Sequence, residues 1–184
     1  MALTHTPVDE LGTSCPDFTL PSIDGKSYSL KDFSNGEPLV IMFICNHCPY
    51  VKAVEDRLIQ LSLDLKKESI HVVGICSNDE VSYPADSFEN LKKRALEKKY
   101  SFVYLHDKTQ MVAKRFGAVC TPDFFVYDKN QALAYRGRLD NSWKDETKVT
   151  MRELYEATLA LKKGIPIPFK AISSMGCSIK WSSL

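Results

Sequence analysis

Apolar residues fall along this chain in two alternating patterns. Leu39-Val40-Ile41-Met42-Phe43-Ile44 is a continuous apolar run, as expected of a central strand buried on both faces. Val51, Val54, Leu58, Leu61 and Leu65 then recur at steps of three and four, which is one face of a helix. Ile70 to Ile75 reads as a second buried strand. Asp86 with Glu89 three residues later predicts a capped helix start, with Phe88, Leu91 and Ala95 as its apolar face. Phe102 to Leu105 is a short strand. Asp107 with Gln110 opens a further helix in which Met111, Val112 and Phe116 face inward and Gly117 ends the turn. Phe124–Tyr127 and Leu133–Arg138 flank Asp128-Lys129-Asn130-Gln131, a hairpin signal. A last helix is expected from about Asp145 to Lys162, with Met151, Leu154, Tyr155 and Leu161 on one side. Near the start, Phe18-Thr19-Leu20 and Ser27-Tyr28-Ser29-Leu30 surround Asp24-Gly25 and predict an N-terminal hairpin.

The alternation of strands and helices predicts an α/β protein: a mixed central sheet with helices on both faces. At 184 residues the chain is long enough for one self-sufficient core. We expect a flexible N-terminus over 1–14, one domain over 15–164, and an extended tail over 165–184 packed on that domain, with Pro166 and Pro168 near its start. No internal repeat, low-complexity segment or linker interrupts the pattern.

Composition narrows the class. The chain is 44% hydrophobic and 26% charged, with a net charge of +1. Basic residues do not cluster beyond pairs, which argues against a nucleic-acid or membrane-surface partner. No run approaches the roughly 18 apolar residues of a membrane span. Met1 to Pro16 holds no apolar stretch of the kind a secretory signal carries. The six cysteines, at 15, 45, 48, 76, 120 and 177, are too dispersed for a secreted disulfide framework. A reducing cytoplasm is the expected setting.

Only Cys45 and Cys48 are close in sequence, in Cys45-Asn46-His47-Cys48 between the apolar run and the helix pattern. Two cysteines delivered by a strand to a helix start make a dithiol redox site. Unpaired backbone N–H groups and the helix dipole favour a thiolate there, and the first thiol, Cys45, is expected to hold it. On this reading Cys45 attacks a disulfide, Cys48 resolves the mixed disulfide, and His47 tunes the thiolate.

A strand, a C-x-x-C, a helix, and later Thr121-Pro122 entering a strand: this order resembles the thioredoxin fold. Cys15-Pro16-Asp17-Phe18-Thr19-Leu20 resembles the opening of AhpC/TSA, peroxiredoxin and TlpA/ResA-type redoxins. A peroxiredoxin-like subgroup is matched by Cys45 to Val51, Ser77-Asn78-Asp79 with Tyr83-Pro84-Ala85-Asp86, Cys120 to Phe125, and the tail Gly176 to Trp181. The resemblance implies a cis peptide at Pro122 facing the dithiol, and a substrate groove shaped by Thr121, Pro122, Asn46 and His47. It implies thiol–disulfide exchange with a disulfide-bearing protein or small thiol, and reduction by a separate protein or glutathione. No nucleotide-binding glycine loop is present, and no cofactor is expected.

Two other chemistries compete. A peroxidase of this lineage would attack peroxide with Cys48, but Cys45 and Ile41 stand where its threonine and proline belong, and Gly117 to Tyr127 contains no arginine. A thiolate metal or redox-sensing site could draw on Cys45, His47, Cys48 and Cys120, although no second C-x-x-C or H-x-H supports it and no metal is expected. The acid that thioredoxins bury before their motif is replaced by Leu39, and the glutamate that ResA-type proteins carry after it by Val51. Glu55, one turn on, reads as a solvated helix-face charge. Cys15 and Cys76 read as packing residues. Cys120 and Cys177 are possible additional redox thiols.

Overall fold

The computed structural model describes residues 3–8 and 11–182. Its strands are β1 (Leu3–His5), β2 (Thr19–Pro21), β3 (Ser27–Ser29), β4 (Leu39–Phe43), β5 (His71–Cys76), β6 (Val103–His106), β7 (Cys120–Thr121), β8 (Asp123–Tyr127), β9 (Leu133–Arg136) and β10 (Met175–Ser178). The helices are α1 (Pro49–Lys67), α2 (Phe88–Lys98), α3 (Met111–Phe116) and α4 (Glu153–Lys162). No helix among the described residues is long and apolar enough to cross a membrane.

The central sheet has the order β6-β5-β4-β8-β9, with β4, β5 and β6 parallel and β8 and β9 antiparallel to their neighbours. β4 lies in the middle and is buried along its whole length, as its unbroken apolar run requires. Its side chains alternate between two cores. Val40 and Met42 pack with Val54, Leu58, Leu61 and Leu65 of α1 and with Leu91 and Leu154. Leu39, Ile41 and Phe43 pack with Val112 and Phe116 of α3 and with Phe18 and Leu20 of the β2–β3 hairpin. Helices therefore cover both faces, as expected.

α1 begins where the sequence allows it to. Pro49 occupies the first helical turn, where a missing N–H costs nothing, and Cys48 is the extended N-cap. Lys66 and Lys67 sit in the last turn, where positive charge suits the helix dipole. Each buried leucine on its inner face contributes about 1.5–3 kcal/mol. This packing fixes the helix start, and with it the position of Cys48.

Five local expectations are corrected. Asp86 does not cap α2: Ser87 is its N-cap, and the Asp86 carboxylate turns inward. Met111 is 54% exposed, because α3 is a short helix whose inward positions are Val112, Ala113 and Phe116. The final helix starts at Glu153 rather than near Asp145, since Asn141 Oδ1 accepts the Thr150 and Met151 N–H groups at 3.0 and 3.2 Å and holds that stretch out of the helix. Glu55 is not solvated; it is 4% exposed, clamped by Arg94 at 2.8 and 2.5 Å and by the Tyr100 hydroxyl at 2.6 Å. Finally, the N-terminal segment is not loose where Leu3–His5 forms β1.

β1 pairs with β10, and β10 pairs antiparallel with β7, making a second, three-stranded sheet. The tail is therefore a central strand of that sheet. In the β10–β7 register Cys177 lies opposite Thr121.

Candidate redox site

β4 delivers the chain to Cys45, a turn carries Asn46 and His47, and Cys48 caps α1. From the other side, β7 brings Thr121 to the same point, and the Thr121–Pro122 peptide is cis, as the resemblance implies. Cys45 Sγ lies 3.3 Å from the Thr121 hydroxyl. The Cys48 thiol donates to the Thr121 carbonyl at 3.1 Å. Cys45, Cys48, Asn46, His47, Thr121 and Pro122 are thus brought together. Both sulfurs are buried.

With its proton donated to the Thr121 carbonyl, Cys48 is uncharged; on ionisation the surrounding hydrogen bonds favour Cys48 over Cys45, the thiol expected to hold the charge. The Cys45 S–H donates to Cys48, and the backbone N–H groups of Cys177 and Val51 and the Thr121 side chain also favour the Cys48 thiolate. Together they outweigh the cost of burial and draw its pKa down to about 4. Cys45 is held well above its ordinary value by that same sulfur–sulfur bond, by burial and by the negative Asp86. The reason is positional: Cys48 stands at the N-cap of α1, where the first-turn backbone N–H groups favour negative charge without a capping hydrogen bond to its sulfur.

Asp86, which the sequence suggests as a helix cap, joins the site instead. Its carboxylate is fully buried and accepts from His47 Nδ1 at 2.5 Å, from Asn78 Nδ2 at 2.8 Å, and from the backbone N–H of Asn46 at 2.8 Å and of His47 at 3.3 Å. Burial pushes its pKa up, but these hydrogen bonds and the His47 side chain prevail and leave it below the usual carboxylate value. The other ring nitrogen of His47 is Nε2. That Nε2 is buried without a hydrogen-bond partner. The ring stacks on Tyr83 with centroids 4.9 Å apart. Asn46 ties the motif to the start of α2 by donating to the Ala85 and Asn90 carbonyls, both at 2.9 Å. The quoted segments Ser77–Asp79 and Tyr83–Asp86 contain the signal, but only the fold shows that they close on the C-x-x-C.

Cys45 Sγ, a His47 ring nitrogen and an Asp86 oxygen lie within 4.8 Å of one another, a spacing that could hold a metal ion. Cys48 and Cys120 are not part of that group. The Asp86 oxygens already accept four hydrogen bonds.

The remaining cysteines divide. Burial pushes Cys15 up to about 12 and raises Cys76 and Cys120 strongly. The Cys120 thiol donates to the Pro122 carbonyl at 3.5 Å. Cys177, in contrast, hydrogen-bonds through its side chain to Cys48. Beside Pro122 a cavity of about 250 Å³ opens, lined in part by Tyr50, Trp143, Ile172 and Met175. The fully buried Arg136 donates to the Asp123 carboxylate at 2.9 Å and to the Gly117 carbonyl at 2.8 Å.

The AhpC/TSA family model matches residues 11–136. An uncharacterized conserved protein from Geobacillus kaustophilus is 43% identical and superposes with a TM-score of 0.95 over 100% of this chain and 98% of that one. A hypothetical protein from Sinorhizobium meliloti 1021 is 36% identical, with a TM-score of 0.93 over 98% of this chain and 100% of that one. The thioredoxin domain of a thiol-disulfide oxidoreductase from Bacteroides vulgatus is similar in fold alone, at 19% identity and a TM-score of 0.58 over 68% of this chain and 86% of that one. No curated protein matches the chain.

Proposed function

The chain belongs to the AhpC/TSA family and has a thioredoxin-like fold, and we propose that it is a thiol–disulfide oxidoreductase whose redox pair is Cys45 and Cys48. The observation that carries this reading is the hydrogen-bonded sulfur pair at the start of α1, facing Thr121 and the cis Pro122.

Cys48 is the nucleophile, because its thiolate is the one that the surrounding hydrogen bonds favour. It attacks one sulfur of a protein or small-molecule disulfide; that bond breaks, and the departing thiolate takes up a proton. Cys45 then gives its proton to the nearby Asp86–His47 pair and attacks the Cys48 sulfur of the mixed disulfide. The second substrate thiolate leaves, and the Cys45–Cys48 disulfide forms. The substrate has gained two electrons and two protons, which a separate reductant protein or glutathione restores to the enzyme. Thr121 stabilises both states of the site: its carbonyl accepts from a protonated Cys48, and its hydroxyl supports the thiolate.

The Cys45→Ser and Cys48→Ser variants test this against a disulfide substrate. Cys45→Ser, made together with Cys177→Ser so that no neighbouring thiol can resolve it, should accumulate a mixed disulfide on Cys48. Trapping on Cys45 alone would reverse the order of attack, and trapping in neither variant would overturn the reading.

A peroxidase reading gains from one feature: the thiolate that hydrogen bonding favours is Cys48, the N-cap residue. The groups favouring that thiolate are Cys45, Cys177, Val51 and Thr121, and they include no guanidinium to polarise a peroxide. Stopped-flow oxidation by hydrogen peroxide decides it, with a rate no better than that of a free thiolate expected.

A further inference from the structure

Cys48 has two sulfur neighbours. One is Cys45 in the motif. The other is Cys177, which is distant in sequence and arrives on β10. Three observations bring it there. In the β10–β7 ladder Cys177 stands opposite Thr121, whose carbonyl is the acceptor for the Cys48 thiol. Cys177 approaches Cys48 twice, with its backbone N–H and with its thiol. The preceding residue must be glycine for this approach, since a Cβ on Gly176 would lie 2.0 Å from the Thr121 carbonyl oxygen. Cys177 itself is 3% exposed. The family match ends at Arg136, yet the Geobacillus and Sinorhizobium structures align with 98% or more of this chain.

We propose that Cys177 is a third redox thiol that takes the disulfide from the motif onto the tail. The inference rests on the dithiol reading above. In the oxidised enzyme the Cys177 sulfur attacks Cys48 Sγ in the Cys45–Cys48 disulfide. The bond between 45 and 48 breaks with its electron pair going to Cys45, and a bond between 48 and 177 forms. The proton lost by Cys177 is taken up by Cys45. No net oxidation occurs, so no further oxidant or reductant is needed; the disulfide moves by one sulfur. Its consequence is structural. With 48 joined to 177, β10 is bonded covalently to the start of α1 and lies across Thr121. The catalytic sulfur is then covered until a reductant releases the tail. Cys45 is meanwhile a free thiol.

The other buried cysteines do not share this geometry. The Cys120 thiol is directed to the Pro122 carbonyl, although Cys120 is the neighbour of Thr121 in β7. Cys15 lies beside Tyr127, and Cys76 beside Tyr104.

The test is disulfide mapping of the full chain after oxidation by diamide, using digestion without reductant and mass spectrometry. Wild type should yield both a 45–48 and a 48–177 linkage. The Cys45→Ser variant should lose two thiols per chain and yield the 48–177 linkage alone. The Cys45→Ser, Cys177→Ser double variant should lose none within the chain. Circular dichroism of each reduced variant checks that it folds. A 45–48 linkage in wild type, with no 48–177 linkage in either wild type or Cys45→Ser, overturns the inference and leaves the dithiol reading standing. Absence of any linkage to Cys48 overturns both.

Discussion

The Asp86 carboxylate holds the His47 imidazole through a 2.5 Å contact to Nδ1, and the pair stands within 4.8 Å of the Cys45 sulfur. A buried carboxylate so placed does two opposing things. Its charge disfavours a thiolate on Cys45, which helps to keep the proton there and the negative charge on Cys48. Together with the imidazole it also provides the place to which that proton can go.

Asp86→Asn therefore has two expected effects. Exchange with a disulfide substrate should slow at least tenfold, as for loss of a general base. The fold should lose about 3 kcal/mol, because an amide must now face groups that donate to a carboxylate. Substrate turnover and urea denaturation measure the two. A variant with full exchange activity would remove Asp86 from the proton path.

The stability effect of Asp86 should depend on pH with a defined sign. Its folded pKa lies below the ordinary carboxylate value. Its contribution is therefore fully present above its unfolded pKa of about 3.9 and is lost as pH falls through the lower, folded value. The difference in unfolding free energy between wild type and Asp86→Asn should be constant near neutrality and shrink below about pH 4. A difference that grew on acidification would contradict the assignment.

Cys45 is the largest single support for the Cys48 thiolate. Replacing Cys45 with alanine removes that S–H donor and should raise the Cys48 pKa from about 4. A rise of roughly 1–2 units is expected for the loss of one such bond to a charged group. Ultraviolet thiolate absorbance against pH gives the value directly. If the titration of Cys48 does not move, the charge is held by the α1 N-terminus and the tail alone.

What could be read from the sequence follows from how local each determinant is. β4 and α1 are legible because their burial is periodic: the run at 39–44 and the leucine steps from Val51 to Leu65 state their own geometry. The C-x-x-C was legible for the same reason, as two thiols between those elements. Which thiolate the hydrogen bonds favour was not, because one of the donors, the Cys177 N–H, is supplied from across the fold. Asp86 looked like a helix cap because Asp followed by Glu89 fits one; its capture by His47, Asn46 and Asn78 is a tertiary event. Glu55 was misread for a related reason: its partners Arg94 and Tyr100 come from a different part of the chain. The tail segment at 175–178 has no strand-like apolar alternation. Its strand is imposed by pairing with β1 and β7.

That pairing gives the most direct test of whether the tail covers the site. Gly176 is buried, and a Cβ there would lie 2.0 Å from the Thr121 oxygen and 2.6 Å from its carbonyl carbon. Both are backbone atoms, so neither can turn aside as a flexible side chain could. Gly176→Ala must push β10 away from β7, at a cost of about 1–3 kcal/mol for overpacking. It would also withdraw the Cys177 N–H from Cys48 and open a route to that sulfur. Cys48 should then react with a bulky maleimide about tenfold faster than in wild type, the change expected when about 1.4 kcal/mol of covering interaction is lost. The rate is followed by mass spectrometry on the reduced protein, with thermal unfolding as the control for global stability. A labelling rate equal to that of wild type, in a folded variant, would mean that β10 does not gate Cys48.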